Sequence, residues 1–408
     1  MTRPLLLAIT LVLSCAAWPA AAQAPSPGFD AAKLTHDNFY RVLEPVAQRE
    51  GRLVLYNFAG NFDPVWKDGL IPRFEARYGV KVEYHNVRRD QANQQLVAVH
   101  RSGRPSPVDV YFAGGPDNLA SLPGVVAPYR LADLLPNLAA VPAGYKNVVF
   151  GIDAQGRWPI VHRSQLVLGY DSALLSEAEV PRSFEALVAW AEKHPKKFAF
   201  TSPAKGGSGA GFVYSAALHF VEDAECRKTL ADVTLTQPQA QAWAMQAACL
   251  EPLWAYLTRL LKAAELTNGN ADTLNLMNNR QALIGTAWED QALTFVRAKL
   301  LPASFRATSL QPGLVSGGDG LIIAANAKSP AAALLFVDMA FGREFQAWKL
   351  EHHASRSPRN DVDVSAVTPQ TARHLVPAEQ ARAWSVPVNW IAVRGLTRAF
   401  EEKVLSRL

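Results

Sequence analysis

Cysteine is scarce in this chain: 408 residues carry three, at Cys15, Cys226 and Cys249, with no CxxC and no other zinc-type spacing. Neither Cys226 nor Cys249 therefore reads as a metal ligand. The adjacent pair His352 and His353 offers no alternative, since neighbouring side chains on a helix diverge by about 100°. They read as a structural or solvated pair. Runs of like charge are also missing: 41 Lys and Arg stand against 36 Asp and Glu, spread along the chain for a net +5, which leaves no basic tract for nucleic acid. Beyond the first two dozen residues no apolar run approaches the roughly 20 residues that span a bilayer. Internal repeats and low-complexity tracts are absent as well.

What is present begins with a secretory signal, residues 1–22. Arg3 is followed by an apolar run from Leu5 to Leu13, and Ala20 and Ala22 satisfy the small-x-small rule, so Gln23 becomes the first mature residue. A second reading takes VLSC, Val12 to Cys15, as a lipoprotein signal that would leave Cys15 acylated and the protein tethered to a membrane. Export in either form places the remaining cysteines, Cys226 and Cys249, in an oxidising compartment, where an even number implies a disulfide. Two buried free thiols are the alternative.

A composition that is 49% hydrophobic over this length supports large cores and division into two domains. After a Pro/Ala-rich tether and an amphipathic helix over about 36–50, RLVLYNF reads as a buried strand, then a loop and a helix over 65–78. GVKVEYHNV is a second strand, 90–101 a helix, and VDVYFAGG a third strand ending in glycines. Such alternation gives a mainly parallel α/β sheet flanked by helices. Its ligand edge lies at the carboxyl ends of the strands. WPIVHRSQLVLGYDSALL and ATSLQPGLVSGGDGLIIAANAKSP are long extended segments with polar residues or glycines in the middle, suited to crossing between two lobes. The expected division is a tether and helix at 23–50, lobe 1 at 51–163 plus 320–408, and lobe 2 at 164–319. The tail from Pro369 is expected to pack across lobe 1.

The stretch TSPAKGGSGAGFVYSAALHF, residues 201–220, resembles an anion loop at a helix start, but it fits no enzyme template. G-x-S-x-G fails at Ala210, the dinucleotide fingerprint fails at Phe212, and the Lys-Ser/Thr of a nucleotide-phosphate loop is missing. Free N–H groups beside Lys205 and Ser208 could hold a carboxylate, a phosphate or a polar group. The alternative is that the glycines only let loop and helix pack closely. Trp288, Glu289 and Asp290 close another strand and would suit a cationic or hydrogen-bonding organic ligand; Asp290 as a helix cap and Trp288 as packing would be the plainer role. Tyr56, Asn57, Phe62, Asn118, Arg163 and Asp319 complete the side chains expected at loop mouths or crossings of a cleft.

Three segments resemble the periplasmic solute-binding proteins of ABC importers with the type II fold: GRLVLYNFAGNFDPVWKDGLIPRFEARYGVKVEY, NNRQALIGTAWEDQAL and GLIIAANAKSPAAALLFVDMAFGREFQ. VPRSFEALVAWAEKHPKKFAFTSPAKGGSGAGFVYSAAL and EPLWAYL resemble the YnjB-like subgroup, whose relatives include thiamine, polyamine and ferric-ion binders. One departure is that Phe58-Ala59-Gly60-Asn61 stands where that subgroup carries Trp-Gly-Gly after the first strand. Another is the lack of a Tyr-Tyr pair, which in iron-binding members supplies hard oxygen ligands, so a ferric ligand is disfavoured.

The resemblance implies a two-lobed α/β fold, no cofactor and no catalysis. It further implies a monomeric receptor that closes on a small solute by bending near residues 162–168 and 316–321, then docks on an inner-membrane permease. Carboxylates at Asp117, Glu289, Asp290 and Asp319 tilt the expected ligand towards an organic cation such as a polyamine or thiamine. Lys205, Arg163 and the glycine loop favour an anionic group, and a solute with both features would satisfy both. The alternatives are an exported hydrolase or transferase using Ser208 or Glu289 and Asp290, and a ligand sensor.

Overall fold

A computed structural model describes residues 28–114 and 124–408. The proposed signal, Cys15, Asp117 and Asn118 lie outside the described residues. Among the described residues the main sheet has ten strands, eight of them in the order β2 (Lys81–Asn86), β1 (Arg52–Asn57), β3 (Val110–Ala113), β11 (Leu314–Ile323), β6 (Ile160–Asp171), β9 (Ile284–Trp288), β7 (Phe198–Thr201) and β8 (Glu265–Thr267). Off this path, β10 (Phe305–Thr308) pairs with β6, and β12 (Ser385–Pro387) pairs with β11. A separate ribbon is formed by β4 (Val148–Val149) and β5 (Ile152–Asp153).

β1, β2 and β3 pair in parallel at one end, and β9, β7 and β8 do so at the other. Between them β6 and β11 run antiparallel, with Ser164 opposite Gly317 and His162 opposite Asp319. β6 leaves β11 to pair with β9, while β11 leaves β6 to pair with β3, so each of the two long strands belongs to both ends of the sheet. This is the two-lobed α/β fold with two crossings that the sequence implied.

The helices cover both faces. In the first lobe they are α1 (Phe39–Glu50), α2 (Ile71–Tyr78, entered through a π-turn at Val65–Leu70) and α3 (Arg89–Arg101). β1 shows why both faces are needed: Leu53 and Leu55 enter the core with α1 and α2, and Val54 and Tyr56 enter the one with Ala92 and Leu96 of α3. The second lobe carries α4 (Phe184–Lys193), α5 (Gly207–Phe220), α6 (Ala224–Ala231), α7 (Gln237–Gln246), α8 (Glu251–Ala263), α9 (Asn270–Asn278) and α10 (Glu289–Arg297). α11 (Pro330–Ala340) and α12 (Arg343–His353) return to the first lobe. Glu50 at the end of α1 accepts from the Ala331 and Ala332 amides, satisfying the free N–H groups that open α11.

The last helix, α13 (Trp390–Lys403), departs from the sequence expectation that the tail packs across lobe 1. It lies on α7 and α5, and Val393, Leu396, Ala399 and Phe400 share one core with Phe212 and Leu230 of the second lobe. Gly395 permits this, because a Cβ there would sit 2.5 Å from the Ala240 carbonyl oxygen of α7. Asn389 caps α13 and donates to the carbonyls of Leu230 and Asp232 at the end of α6. Cys226 of α6 is joined to Cys249, just before α8, in the disulfide expected from the cysteine count.

Candidate functional site

A cavity of about 710 Å³ lies against the crossing strands, where Ser164, Gly317, Gly318 and Asp319 reach it. One wall comes from the first lobe: Phe58 after β1, Arg89 at the start of α3, and Phe150 beside the β4–β5 ribbon. The opposite wall comes from the second lobe: Lys205, Gly206 and Gly207 at the start of α5, and Trp288 at the end of β9. The third side is α13, whose Trp390, Arg394, Thr397, Arg398 and Glu401 recur at helical spacing on one stripe. A larger hollow of about 820 Å³ rests on the disulfide and Trp243, but no residue of β6 or β11 lines it. Convergence of both lobes on the crossing strands marks the first cavity as the candidate site.

The glycine loop turns out to serve packing and cleft at different positions. A Cβ on Gly209 would lie 1.7 Å from the Thr201 carbonyl oxygen, so the start of α5 can touch β7 only through glycine. Gly207, two residues earlier, faces the indole of Trp288, with 3.3 Å between a built Cβ and the ring nitrogen. Ser208 is not in the cavity. It is fully buried, donating to Asn270 Oδ1 at 2.8 Å and bonded to Thr201 Oγ1 at 3.0 Å, which fixes α5 against β7 and α9.

Of the side chains expected to meet a ligand, Trp288, Asp319 and Lys205 line the cavity. Tyr56 does not: it is buried against α3, its hydroxyl 3.4 Å from Gln95 Oε1 and its ring edge-on to His85. Asn57 is buried and serves the loop after β1, donating to the Ala59 carbonyl, Asp63 and Tyr84 while accepting from the Ala59 amide. Phe62 packs between Phe112 and His162. Glu289 is 1% exposed and grips Arg356 through two bonds of 2.6 and 2.9 Å, while also accepting from the Val376 amide. Arg163 alternates with Ser164 along β6 and emerges on the face of the sheet away from the cavity. His352 stacks on Trp348, which agrees with its structural reading.

Sequence reasoning missed Phe58, Arg89, Phe150 and the whole stripe of α13. The α13 signal was legible as a polar and aromatic face at 390, 394, 398 and 401, but which lobe that face would meet was not.

Under the cavity floor lies a buried polar layer. Asp319 is pushed up to about 7 by burial and by repulsion from Asp290, against the pull of Arg89. Asp290 is likewise pushed up to about 7, by burial first and then by Glu289. Burial holds His162 well below the usual histidine range, with Lys349 and Arg163 adding to the effect. Lys349 is itself lowered by burial and donates to the carbonyls of Val161, Ser355 and Arg356 and to the Ser355 hydroxyl. The cleft therefore stands on a floor where Asp319 and Asp290 hold their protons well above the usual carboxylate range. Among the described residues its lining carries Arg89, Lys205, Arg394 and Arg398 with Asp319 and Glu401, Arg398 being paired with Glu401 and with Glu402.

Residues 69–402 match the family model of the bacterial extracellular solute-binding proteins. No curated protein matches the chain in sequence. Among solved structures, a protein of Bordetella parapertussis assigned to the extracellular solute-binding proteins is similar at a TM-score of 0.67 and 16% identity, covering 87% of this chain and 99% of its own. The spermidine/putrescine ABC transporter substrate-binding protein PotD of Streptococcus pneumoniae has a TM-score of 0.63 at 13% identity, over 88% and 99% of the two chains. An ABC transporter structure from Clostridium perfringens follows at 0.62 and 14%, over 87% and 99%. At such identities these likenesses speak for the fold. The family model, spanning both lobes and the cavity between them, shows that this chain belongs to the bacterial extracellular solute-binding proteins, the substrate-binding components of ABC import systems.

Proposed function

We propose that the cavity between the lobes captures a small organic solute bearing an anionic group, and that bending of β6 and β11 near residues 162–168 and 316–321 closes the lobes over it. The observation that carries the ligand class is Lys205 at the cavity wall, which makes no ion pair among the described residues, whereas Arg398 is already held by Glu401 at 2.9 Å and Glu402 at 3.0 Å. The α5 N-terminus at Gly206 and Gly207 adds its dipole on the same wall. The organic cation suggested by the acidic residues loses most of its support. Glu289 is committed to Arg356, Asp290 is buried, and Asp319 alone of the described three reaches the cavity. Asp319, carrying its proton part of the time near pH 7, can donate to or accept from a polar group of the solute. Trp288, Trp390, Phe58 and Phe150 provide aromatic faces for its organic part.

In this reading the mature chain is exported, starts at Gln23 and hands its solute to an inner-membrane permease as a monomer. The YnjB-like kinship rests on the segments at 180–218 and 251–257. Among the described residues no helix is long and apolar enough to cross a membrane.

The test is a thermal-melt screen of the mature protein stripped of endogenous ligand. Its panel holds phosphorylated sugars and organic carboxylates on one side, and spermidine, putrescine and thiamine on the other. A ligand at 100 times its Kd adds about 2.7 kcal/mol of stability. An anionic class should raise Tm, and Lys205→Ala should weaken that response. A response confined to the polyamines or thiamine would reverse the ligand class while keeping the receptor. Consumption of any compound during incubation would sink the receptor reading.

A further inference from the structure

Behind the crossing strands, on the face of the sheet opposite the cleft, a second pocket of about 360 Å³ is bordered by four arginines: Arg163, Arg356, Arg359 and Arg382. Three of them have carboxylates. Arg356 holds Glu289 at 2.6 Å, Arg359 holds Asp361 at 2.7 Å, and Arg382 lies 3.5 Å from Asp363. Arg163 is the exception, since among the described residues no carboxylate lies within ion-pairing distance of it. Its guanidinium makes a single side-chain hydrogen bond, from Nη2 to Ser316 Oγ at 3.2 Å, and rests 4.6 Å from the centre of the Tyr145 ring. Nε is buried and donates to no protein atom. The neighbouring strand edge is no help, because the backbone bridge between residues 163 and 356 sets two guanidinium-bearing residues directly opposite each other.

A partly buried cation left without a counter-charge is costly, and burial does depress the tendency of Arg163 to hold its proton. Chain sites of this kind are usually completed by a partner. The accounting of charges leaves one positive unit over, which calls for a monoanion. A planar guanidinium with unused N–H groups matches a carboxylate better than a spherical ion. Leu350, Val362, Ala378 and Ala381 supply apolar wall for a short organic tail.

We propose that this pocket is a second ligand site, which binds a small organic monocarboxylate on Arg163. The site is separate from the solute cleft: Arg163 and Ser164 are consecutive on β6 and face opposite sides, and only Ser164 reaches the cleft. The Arg163 to Ser316 bond places it across both crossing strands.

The probes are sodium propionate and sodium benzoate, with sodium chloride at equal ionic strength as reference. Melting of the mature protein is followed for the natural sequence and for Lys205→Gln, Arg163→Lys and Arg163→Met. Millimolar carboxylate should raise Tm above the chloride reference in the natural protein and equally in Lys205→Gln, whose change lies in the cleft. Arg163→Lys should lose more than half of the rise and Arg163→Met all of it, with the unliganded Arg163→Met protein melting no lower than the natural one. No rise over chloride, a rise that survives Arg163→Met, or a rise that disappears in Lys205→Gln would each overturn the proposal. Should Arg163→Met fail to fold, the ¹⁵N-detected Nε–H resonance of Arg163 decides: it should move on titration with benzoate, and an unmoved resonance rejects the site.

Discussion

At the scale of single residues, the acidic side chains separate into two kinds by what surrounds them. Glu289 is a structural partner: with Arg356 it forms a buried pair further satisfied by the Val376 amide and carbonyl. Removing one member leaves the other charged and unpaired, so Arg356→Met should cost about 3–5 kcal/mol in a urea melt. Solute affinity of the folded protein should remain within twofold. Loss of solute binding with unchanged stability would return Glu289 to the ligand site. Asp319 behaves differently, because its proton affinity is raised in the folded state. Between the carboxyl's unfolded value, about 3.9, and about 7, the folded chain holds more protons at this position than the unfolded chain. The contribution to stability is therefore full at low pH and is lost as pH rises towards 7. Asp319→Asn removes this dependence, so the Tm of the variant minus that of the natural protein should grow as pH goes from 5 to 8. A constant difference would mean that Asp319 titrates normally. Neither role could be read from the letters WED and GGDG, because adjacency in sequence says nothing about which neighbour a carboxylate meets across the sheet.

At the scale of elements, the strand and helix alternation was legible because β1, β3, β7 and β9 are short apolar runs buried on both faces of the sheet, while helices such as α8 and α13 carry an apolar stripe. The glycine loop was legible as a site but not as two separate functions. Gly209→Ala would drive a methyl into the Thr201 carbonyl, and a clash with backbone has no flexible side chain to absorb it. We expect a loss of more than about 3 kcal/mol, at the upper end for a single substitution, seen as poor expression or a sharply lowered Tm. Gly207→Ala meets only the Trp288 ring, 3.3 Å from its nitrogen, a tight contact that a shift of the indole by a few tenths of an ångström relieves. It should change stability by under about 1 kcal/mol, the ordinary helix preference for alanine over glycine partly offsetting any crowding, while weakening solute binding by projecting into the cleft. Equal effects of the two on stability would refute the division. The disulfide belongs to this scale too. It closes a loop of sequence separation 23 that contains α7, the helix beneath α13. Replacing both cysteines by serine should cost about 3 kcal/mol by the chain-entropy account, measured as a lowered denaturant midpoint.

On the scale of the whole molecule, the cleft is assembled from segments far apart in the chain, and its least predictable wall is the last helix. Local pattern gives α13 its two faces, yet the choice of lobe depends on the approach that Gly395 allows at Ala240 and on the Asn389 bonds to the end of α6. Those are long-range contacts without a periodic signature. Once placed, α13 joins the solute wall to the core of the second lobe, so its two faces should respond differently to substitution. Leu396→Ala, at a fully buried position, should destabilise by about 2–5 kcal/mol. Arg398→Ala, exposed at the cavity edge and paired with Glu401 and Glu402, should leave stability within about 0.5 kcal/mol and, by leaving Glu401 uncompensated at the cavity, reduce affinity for an anionic solute. Binding by closure makes a further demand on the same parts. The walls from Phe58, Arg89 and Phe150 must approach Trp288 and α13 as β6 and β11 bend, so saturating solute should lower the radius of gyration measured by small-angle scattering. Arg398→Ala, given enough solute to compensate its weaker binding, should reach the same compact value, because the hinge is untouched. A radius unchanged by a solute that raises Tm would mean that the cleft fills without moving, and that the two crossings serve as a rigid frame.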